Sequence, residues 1–178
     1  MKNKSYIIIG GGKLQLNFIR TVKSMGYITH VFDYDPNCVG SKIADYFYCV
    51  SIDDKEQILN IASKISVVGI QTVATEIGNV TACYVGEKLG LKTNSYLTSK
   101  NSTDKSLMKK VFYDNSIPTP LATCVSNLSE IPKNISFPLL VKASDRSAGR
   151  GIRLVYNQND LQIAFKDSLN ASFNKIVL

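Results

Sequence analysis

No stretch of this sequence holds the run of about 18 apolar residues that a membrane-crossing helix needs, so neither a membrane span nor a membrane partner is expected. The start, MKNKSYIIIGGGK, is basic, but its apolar run is too short for a signal-peptide core and no small-residue cleavage site follows it. A cytoplasmic protein is expected. Histidine is almost absent: His30 is the only one. It lies inside a predicted strand without an acid or cysteine at motif spacing, which makes it a packed residue rather than a catalytic base. Cysteine is sparse. Cys38, Cys49, Cys83 and Cys124 include no C-x-x-C pair, which argues against a zinc site and against a disulfide framework. Massed charge of one sign is lacking too. Lys and Arg number 21 against 14 Asp and Glu, a net charge of +7, yet Lys109-Lys110 is the only adjacent pair. Charge dispersed in this way reads as solvated surface, and nucleic acid is not an expected partner. Tyr46, Phe47 and Tyr48 have no interleaved basic residues and read as strand packing rather than a base-stacking platform.

An apolar content of 44% with 20% charged residues is that of a globular chain, and 178 residues suit one large or two small domains. From Tyr6 to Ile70, strands and helices alternate. Strands are predicted over Tyr6–Ile9, Ile28–Phe32, Tyr46–Val50 and Val67–Val73. One helix carries Leu14, Phe18, Ile19, Val22 and Met25 and closes at Gly26. Another is opened by Ser51 with Asp54 and carries Ile58, Leu59 and Ile61. This order implies right-handed βαβ units and a parallel sheet covered on both faces. Gly10-Gly11-Gly12 follows the first strand and Asp33 ends the second, the outline of a dinucleotide site. Gln15 stands where that fingerprint needs its third glycine, so a nicotinamide or flavin reading is weak. Ligands of open parallel sheets lie beyond the carboxyl ends of the strands. Gly11, Gly12 and Asp33 are expected there, and so is Glu76 at the start of the next helix. Glu76 either complements that helix dipole, worth about 0.3–1 kcal/mol, or faces a substrate amine.

Thr93–Thr103 is polar and without periodicity, and is read as a connector. Asp104 caps a helix through Leu107, Met108, Val111 and Phe112 that ends near Asn115. Ile117-Pro118-Thr119-Pro120 is extended, and a weak strand covers Ala122–Val125. In FPLLVKASDRSAGRGIRLV, Phe137–Val155, an apolar strand expected to be buried delivers Lys142 to a loop, Ser144–Gly151, that leads into a second strand. The loop offers hydroxyls and N–H groups, and Gly149 and Gly151 have no side chain to keep an anion away. The stretch is a triphosphate grip or an ordinary hairpin with a surface lysine; on these residues alone both stay open. Gln158–Leu169 reads as a helix and Lys175–Leu178 as a further strand.

Taken together, GGGKLQLNFIRTVKSMGY, VFDYDPN, ADYFYCVSIDD, DKSLMKKVFYDNSIPTP and FPLLVKASDRSAGRGIRLV, in this order, resemble the ATP-grasp superfamily with a biotin-carboxylase-like N-terminal domain. Carbamoyl phosphate synthase large chains and the purine-pathway ligases belong to this group. The resemblance implies a Rossmann-like parallel sheet (residues 1–93), a linker with a helix (94–116) and the first, small α+β lobe of an ATP-grasp domain (117–178). It implies an ATP-dependent ligase that joins a small-molecule carboxylate to an amine or ammonia through an acyl phosphate, using ATP and Mg²⁺; a homodimer is compatible with it. Lys105, Lys142, Ser144, Ser147, Gly149, Arg150 and Gly151 match the ATP-binding positions. Gly11, Gly12 and Glu76 match the substrate side. Asp145, Arg146, Ser147 and Ala148 stand where biotin carboxylases have nearly all glycine, which points away from that enzyme. The family's metal ligands and catalytic arginines are expected beyond Leu178, so the chain is read as an N-terminal fragment without ATPase or ligase activity of its own. The alternatives are a nicotinamide-dependent Rossmann oxidoreductase and a non-catalytic binding module.

Overall fold

The computed structural model describes residues 4–172 and 175–178; the basic start at residues 1–3 lies outside these. The chain divides into two compact units, Met1–Ser99 and Lys100–Leu178.

The first unit is a four-stranded parallel sheet in the order β3-β2-β1-β4. Its strands are β1 (Ser5–Ile9), β2 (Ile28–Asp33), β3 (Tyr46–Cys49) and β4 (Val67–Gln71). The helices between them are α1 (Leu16–Ser24), α2 (Lys55–Ala62) and α3 (Glu76–Lys88). β1 is apolar throughout its second half because both its faces are covered. Ile7 and Ile9 enter a core with Phe32, Ile58 and Val85, while Ile8 enters a second core with Ile19, Val22 and Val31. All three isoleucines are fully buried, each contributing about 1.5–3 kcal/mol. α2 starts at Asp54, whose carboxylate accepts the Gln57 N–H, and α3 starts at Thr75, whose hydroxyl accepts the Gly78 N–H. β4 stops at Gln71, two residues before the expected end. Thr72 turns inward to donate to the Ile9 carbonyl at 2.5 Å, and Ala74 takes a φ of +56°.

Residues 94–116, expected as a connector with one helix, hold two: α4 (Tyr96–Thr103) and α5 (Lys105–Asp114). α4 has no apolar period to reveal it. Its start is fixed by partners outside the segment: the Glu87 carboxylate accepts the Tyr96 N–H at 2.8 Å, and Lys55 Nζ donates to the Tyr96 hydroxyl at 2.7 Å. α5 starts where expected, with Asp104 accepting the N–H groups of Ser106 and Leu107.

The second unit is a four-stranded antiparallel sheet in the order β5-β8-β6-β7. The strands are β5 (Cys124–Val125), β6 (Leu139–Ala143), β7 (Ile152–Val155) and β8 (Ile176–Val177), with α6 (Gln158–Ala171) packed on one face. Val141, Val155 and Ile176 point into α6, against Leu161, Ala164 and Phe165. Side chains alternate across a strand, so Leu140, Lys142 and Leu154 stand on the other face. The sequence reading of β6 as buried is corrected here: Leu140 is 43% exposed, because α6 packs on the face that Val141 occupies and a groove opens on the face of Leu140.

Candidate functional site

In the first unit, the glycine turn after β1 lies at the carboxyl edge, and it is occupied by the protein's own groups. Gly11 N–H donates to Asp33 Oδ2 at 2.7 Å, and its carbonyl accepts the Gly40 N–H at 2.7 Å. The second Asp33 oxygen accepts the Asp35 N–H at 3.0 Å. Asp33 therefore ties the turn to the end of β2. Gln15, buried at 7% exposure, folds over Gly10 and Gly12 and donates through Nε2 to the Val73 carbonyl at 2.6 Å. Its amide fills the space that the third glycine of a dinucleotide fingerprint leaves empty. Glu76 is the first residue of α3 and is exposed; its carboxylate has no partner among the described residues. Gln15 joins the β1–α1 turn to the β4–α3 turn, so Gly12 and Glu76 belong to neighbouring turns at one edge.

His30 is buried at 5% exposure, set between Tyr48 Oη and Ser5 Oγ, each 3.1 Å from a ring nitrogen, and stacked on Tyr46. Burial holds its pKa below the usual value, against the pull of the Asp45 carboxylate. The four cysteines are free, and burial pushes the Cys83 and Cys124 thiols up.

In the second unit, β6 carries Lys142 onto the face opposite α6. There a groove of about 350 Å³ is floored by Leu140, Leu154 and Val177 and bounded by Leu121, Leu178, Lys109 and Lys142. Among the described residues no Asp or Glu lines it, and the Lys142 ammonium has no partner there. An apolar slot with cations at its side suits a flat apolar ring attached to a negatively charged group.

The Ser144–Gly151 loop is anchored at its base and free at its tip. Ser144 is fully buried; its N–H donates to the Lys175 carbonyl at 2.9 Å, and its carbonyl accepts the Lys105 N–H at 2.8 Å. The Arg146 guanidinium donates to the Ala171 carbonyl and Lys105 Nζ to the Arg146 carbonyl. Ser172 Oγ donates to Asp145 at 2.7 Å, and Ser168 Oγ to the Gly151 carbonyl at 2.9 Å. At the tip, Ala148 and Gly149 take positive φ. The N–H groups of Ser147, Ala148 and Gly149 have no acceptor among the described residues, which leaves three donors available to an anion. Arg153, on β7, pairs with Asp167, while Arg150 in the loop is exposed and, among the described residues, its side chain is bonded only to the Ser147 carbonyl at 3.3 Å.

Lys105, Lys142, Ser147, Gly149 and Arg150 thus belong to one unit, with Lys105 bonded to the loop itself. Ser144 and Gly151 serve as its internal anchors. Sequence reasoning missed Lys109; its spacing of four from Lys105 on α5 was the available signal. Among the described residues no group of three or more His, Cys, Asp or Glu side chains is placed to hold a metal, and no helix is long and apolar enough to cross a membrane.

Residues 4–102 match the family model described as the ribonucleotide synthetase preATP-grasp domain. Residues 101–177 match that of the carbamoyl-phosphate synthase L chain, ATP binding domain. The chain is 24% identical, over 97% of its length, to the formate-dependent phosphoribosylglycinamide formyltransferase of Prochlorococcus marinus (strain MIT 9515), of which it spans 45%. Among solved structures, it is similar to N5-carboxyaminoimidazole ribonucleotide synthetase from Thermotoga maritima, with 26% identity and a TM-score of 0.69 over 99% of this chain and 45% of that one. The corresponding Staphylococcus aureus synthetase, solved with ADP, shares the fold at 23% identity and a TM-score of 0.78 over 99% of this chain and 47% of that one. The chain therefore spans less than half the length of these relatives. Its architecture is a Rossmann-like parallel sheet followed by the first, small α+β lobe of an ATP-grasp domain.

Proposed function

We propose a function from one premise: through residues 4–102, more than half of its length, this chain belongs to the ribonucleotide synthetase preATP-grasp domain family. It is, in this reading, part of an ATP-dependent ligase that joins a small-molecule carboxylate to an amine or ammonia. The observation that carries the reading is Lys142: an unpaired ammonium, among the described residues, on the open face of β6 beside the apolar groove of Leu140 and Leu154. The groove takes the adenine ring of ATP, and Lys142 sits at the start of its phosphates.

ATP supplies the phosphoryl group that activates the substrate carboxylate as an acyl phosphate. This chain's own residues position and neutralise. Lys142 and Lys105 hold phosphate charge, and Lys105 exchanges the Arg146 carbonyl for it. The N–H groups of Ser147, Ala148 and Gly149 cap the phosphates with Arg150, while Ser144 and Gly151 hold the loop base. In the first unit, Gly11 shapes the glycine turn, Gly12 borders the substrate, and the Glu76 carboxylate accepts hydrogen bonds from a substrate amine. Mg²⁺ is not assigned to side chains of this chain, since no metal-holding cluster exists among the described residues, and no step is derived through it. The place of action is the cytoplasm.

Calorimetric titration of the 178-residue chain with ATP tests the reading. Binding that Lys142→Ala weakens at least tenfold, about 1.4 kcal/mol, is expected. Equal affinity in the parent and Lys142→Ala, or no binding by the parent, would overturn it.

A further inference from the structure

Lys109 lines the same groove as Lys142, but its ammonium is engaged by a different part of the chain. Nζ donates to Thr119 Oγ1 and to the Pro120 carbonyl, both at 2.6 Å. Tyr113, one turn further along α5, accepts the Ala122 N–H on its hydroxyl at 2.8 Å and donates to the Pro120 carbonyl at 3.3 Å. Two side chains at i and i+4 of one helix therefore grip the backbone on both sides of Leu121. The gripped segment has little else to fix it. It precedes β5, its first pairing with another strand is at Thr123 with Leu178, and Pro120 has no N–H to offer.

Leu121 itself is 95% exposed, the most exposed of the large apolar side chains among the described residues, and stands at the edge of a groove whose floor is Leu140 and Leu154. A leucine held in water by hydrogen bonds on either side gains nothing from its position until an apolar surface meets it. The groove beside it is the place where a flat ring is received.

We infer that Lys109 is a positioning residue of the nucleotide site: with Tyr113 it fixes the Thr119–Ala122 rim so that Leu121 closes over the base of the bound nucleotide. The inference rests on the ATP reading above and extends it to a residue that acts through Leu121 rather than on phosphate. Lys109 keeps its two neutral acceptors when nucleotide binds, whereas Lys105 gives up the Arg146 carbonyl for phosphate.

A double-mutant cycle on ATP affinity separates this role from its rivals. Lys109→Met and Leu121→Ser are each expected to weaken ATP binding about five- to tenfold, the loss of part of one leucine contact. Because Lys109 acts through Leu121, the double variant is expected to be no weaker than the poorer single variant. Lys109→Arg, which can donate to both acceptors, stays within about twofold of the parent. Leu121→Ser removes only an exposed side chain, so folding is not at stake there. Effects that multiply in the double variant would make Lys109 a phosphate ligand, and an unchanged affinity in Leu121→Ser would remove the closing wall; either overturns the inference. Failure of the parent chain to bind ATP overturns the ATP reading itself, and this inference with it.

Discussion

Replacing Gly11 with alanine puts a methyl group where the structure has no room for one. A Cβ on Gly11 would lie 2.6 Å from Cys38 Sγ, 3.2 Å from Val31 Cγ1 and 3.5 Å from Asp33 Cβ. Ordinary carbon contacts are about 3.5–4.0 Å, so the sulfur must retreat by about 1 Å. The Gly11 backbone cannot retreat instead, because its N–H is held by Asp33 and its carbonyl by Gly40. Overpacking of this kind costs about 1–3 kcal/mol, and here it falls on the first unit. Cys38→Ala removes the sulfur and leaves only the two milder contacts, so Gly11→Ala should be better tolerated in that background, with a coupling of about 1 kcal/mol or more. Gly40→Ala is the control. Its Cβ would meet the Gly11 Cα at 2.7 Å and the Gly11 carbonyl oxygen at 2.8 Å, and no side-chain truncation relieves a backbone clash. Urea unfolding of the parent, the two single variants, the double variant and Gly40→Ala, followed by circular dichroism, gives the five stabilities. A Gly11→Ala protein as stable as the parent, or strictly additive effects with Cys38→Ala, would refute the packing assigned to this turn.

Three further outcomes follow from the same geometry. Gln15→Gly completes the G-x-G-x-x-G spacing that begins at Gly10 but orphans the Val73 carbonyl; it should cost about 1–3 kcal/mol and confer no NADH binding by fluorescence, and acquired binding would contradict the role given to Gln15. His30 is held below its ordinary value of 6.5 by burial, so on acidification the unfolded chain takes up the proton first. The stability it contributes is whole above about pH 6.5 and falls as pH drops below that. Thermal midpoints recorded from about pH 8 to pH 5 should show this loss in the parent and a smaller one in His30→Phe; parallel profiles would count against it. Asp104→Ala removes the acceptor of the Ser106 N–H at 2.8 Å and the Leu107 N–H at 3.3 Å. It should cost about 0.5–2 kcal/mol in urea unfolding of the second unit, largely recovered by Asp104→Asn; an unaltered midpoint would argue that this cap is inert.

What the sequence discloses and what it conceals divide along the range of the interactions. Ile7–Ile9, the helical spacing of Ile19 and Val22, and the caps Asp54 and Asp104 act locally, so the order of elements was readable from them. The start of α4 depends on Glu87 and Lys55, which lie outside the segment, and no local pattern announces them. The open face of β6 was hidden because Leu139-Leu140-Val141 is apolar at every position; only pairing with β7 and β8, and the packing of α6 on the Val141 face, decides that Leu140 faces out. The candidate site shows the same division. Lys142, the Ser147–Gly149 tip and Glu76 stand where strand ends, glycines and helix starts put them. Asp33, Gln15 and Ser144 have residue types that suit ligand binding, but they are engaged by Gly11, Val73 and Lys175, partners distant in the sequence. Lys109 was overlooked for the converse reason: its spacing from Lys105 puts it on one helix face with that residue, but its acceptors on Thr119 and Pro120 are set by the fold.

The most direct test of a nucleotide site on the open face of the β5-β8-β6-β7 sheet is a methyl- and amide-detected NMR titration of the 178-residue chain with ATP. The account predicts shifts at the methyls of Leu121, Leu140, Leu154 and Leu178 and at the amides of Ser147, Ala148 and Gly149, with the Gly10–Gly12 amides left where they are. Shifts confined to the glycine turn, or none at the sheet face at saturating ATP, would contradict it.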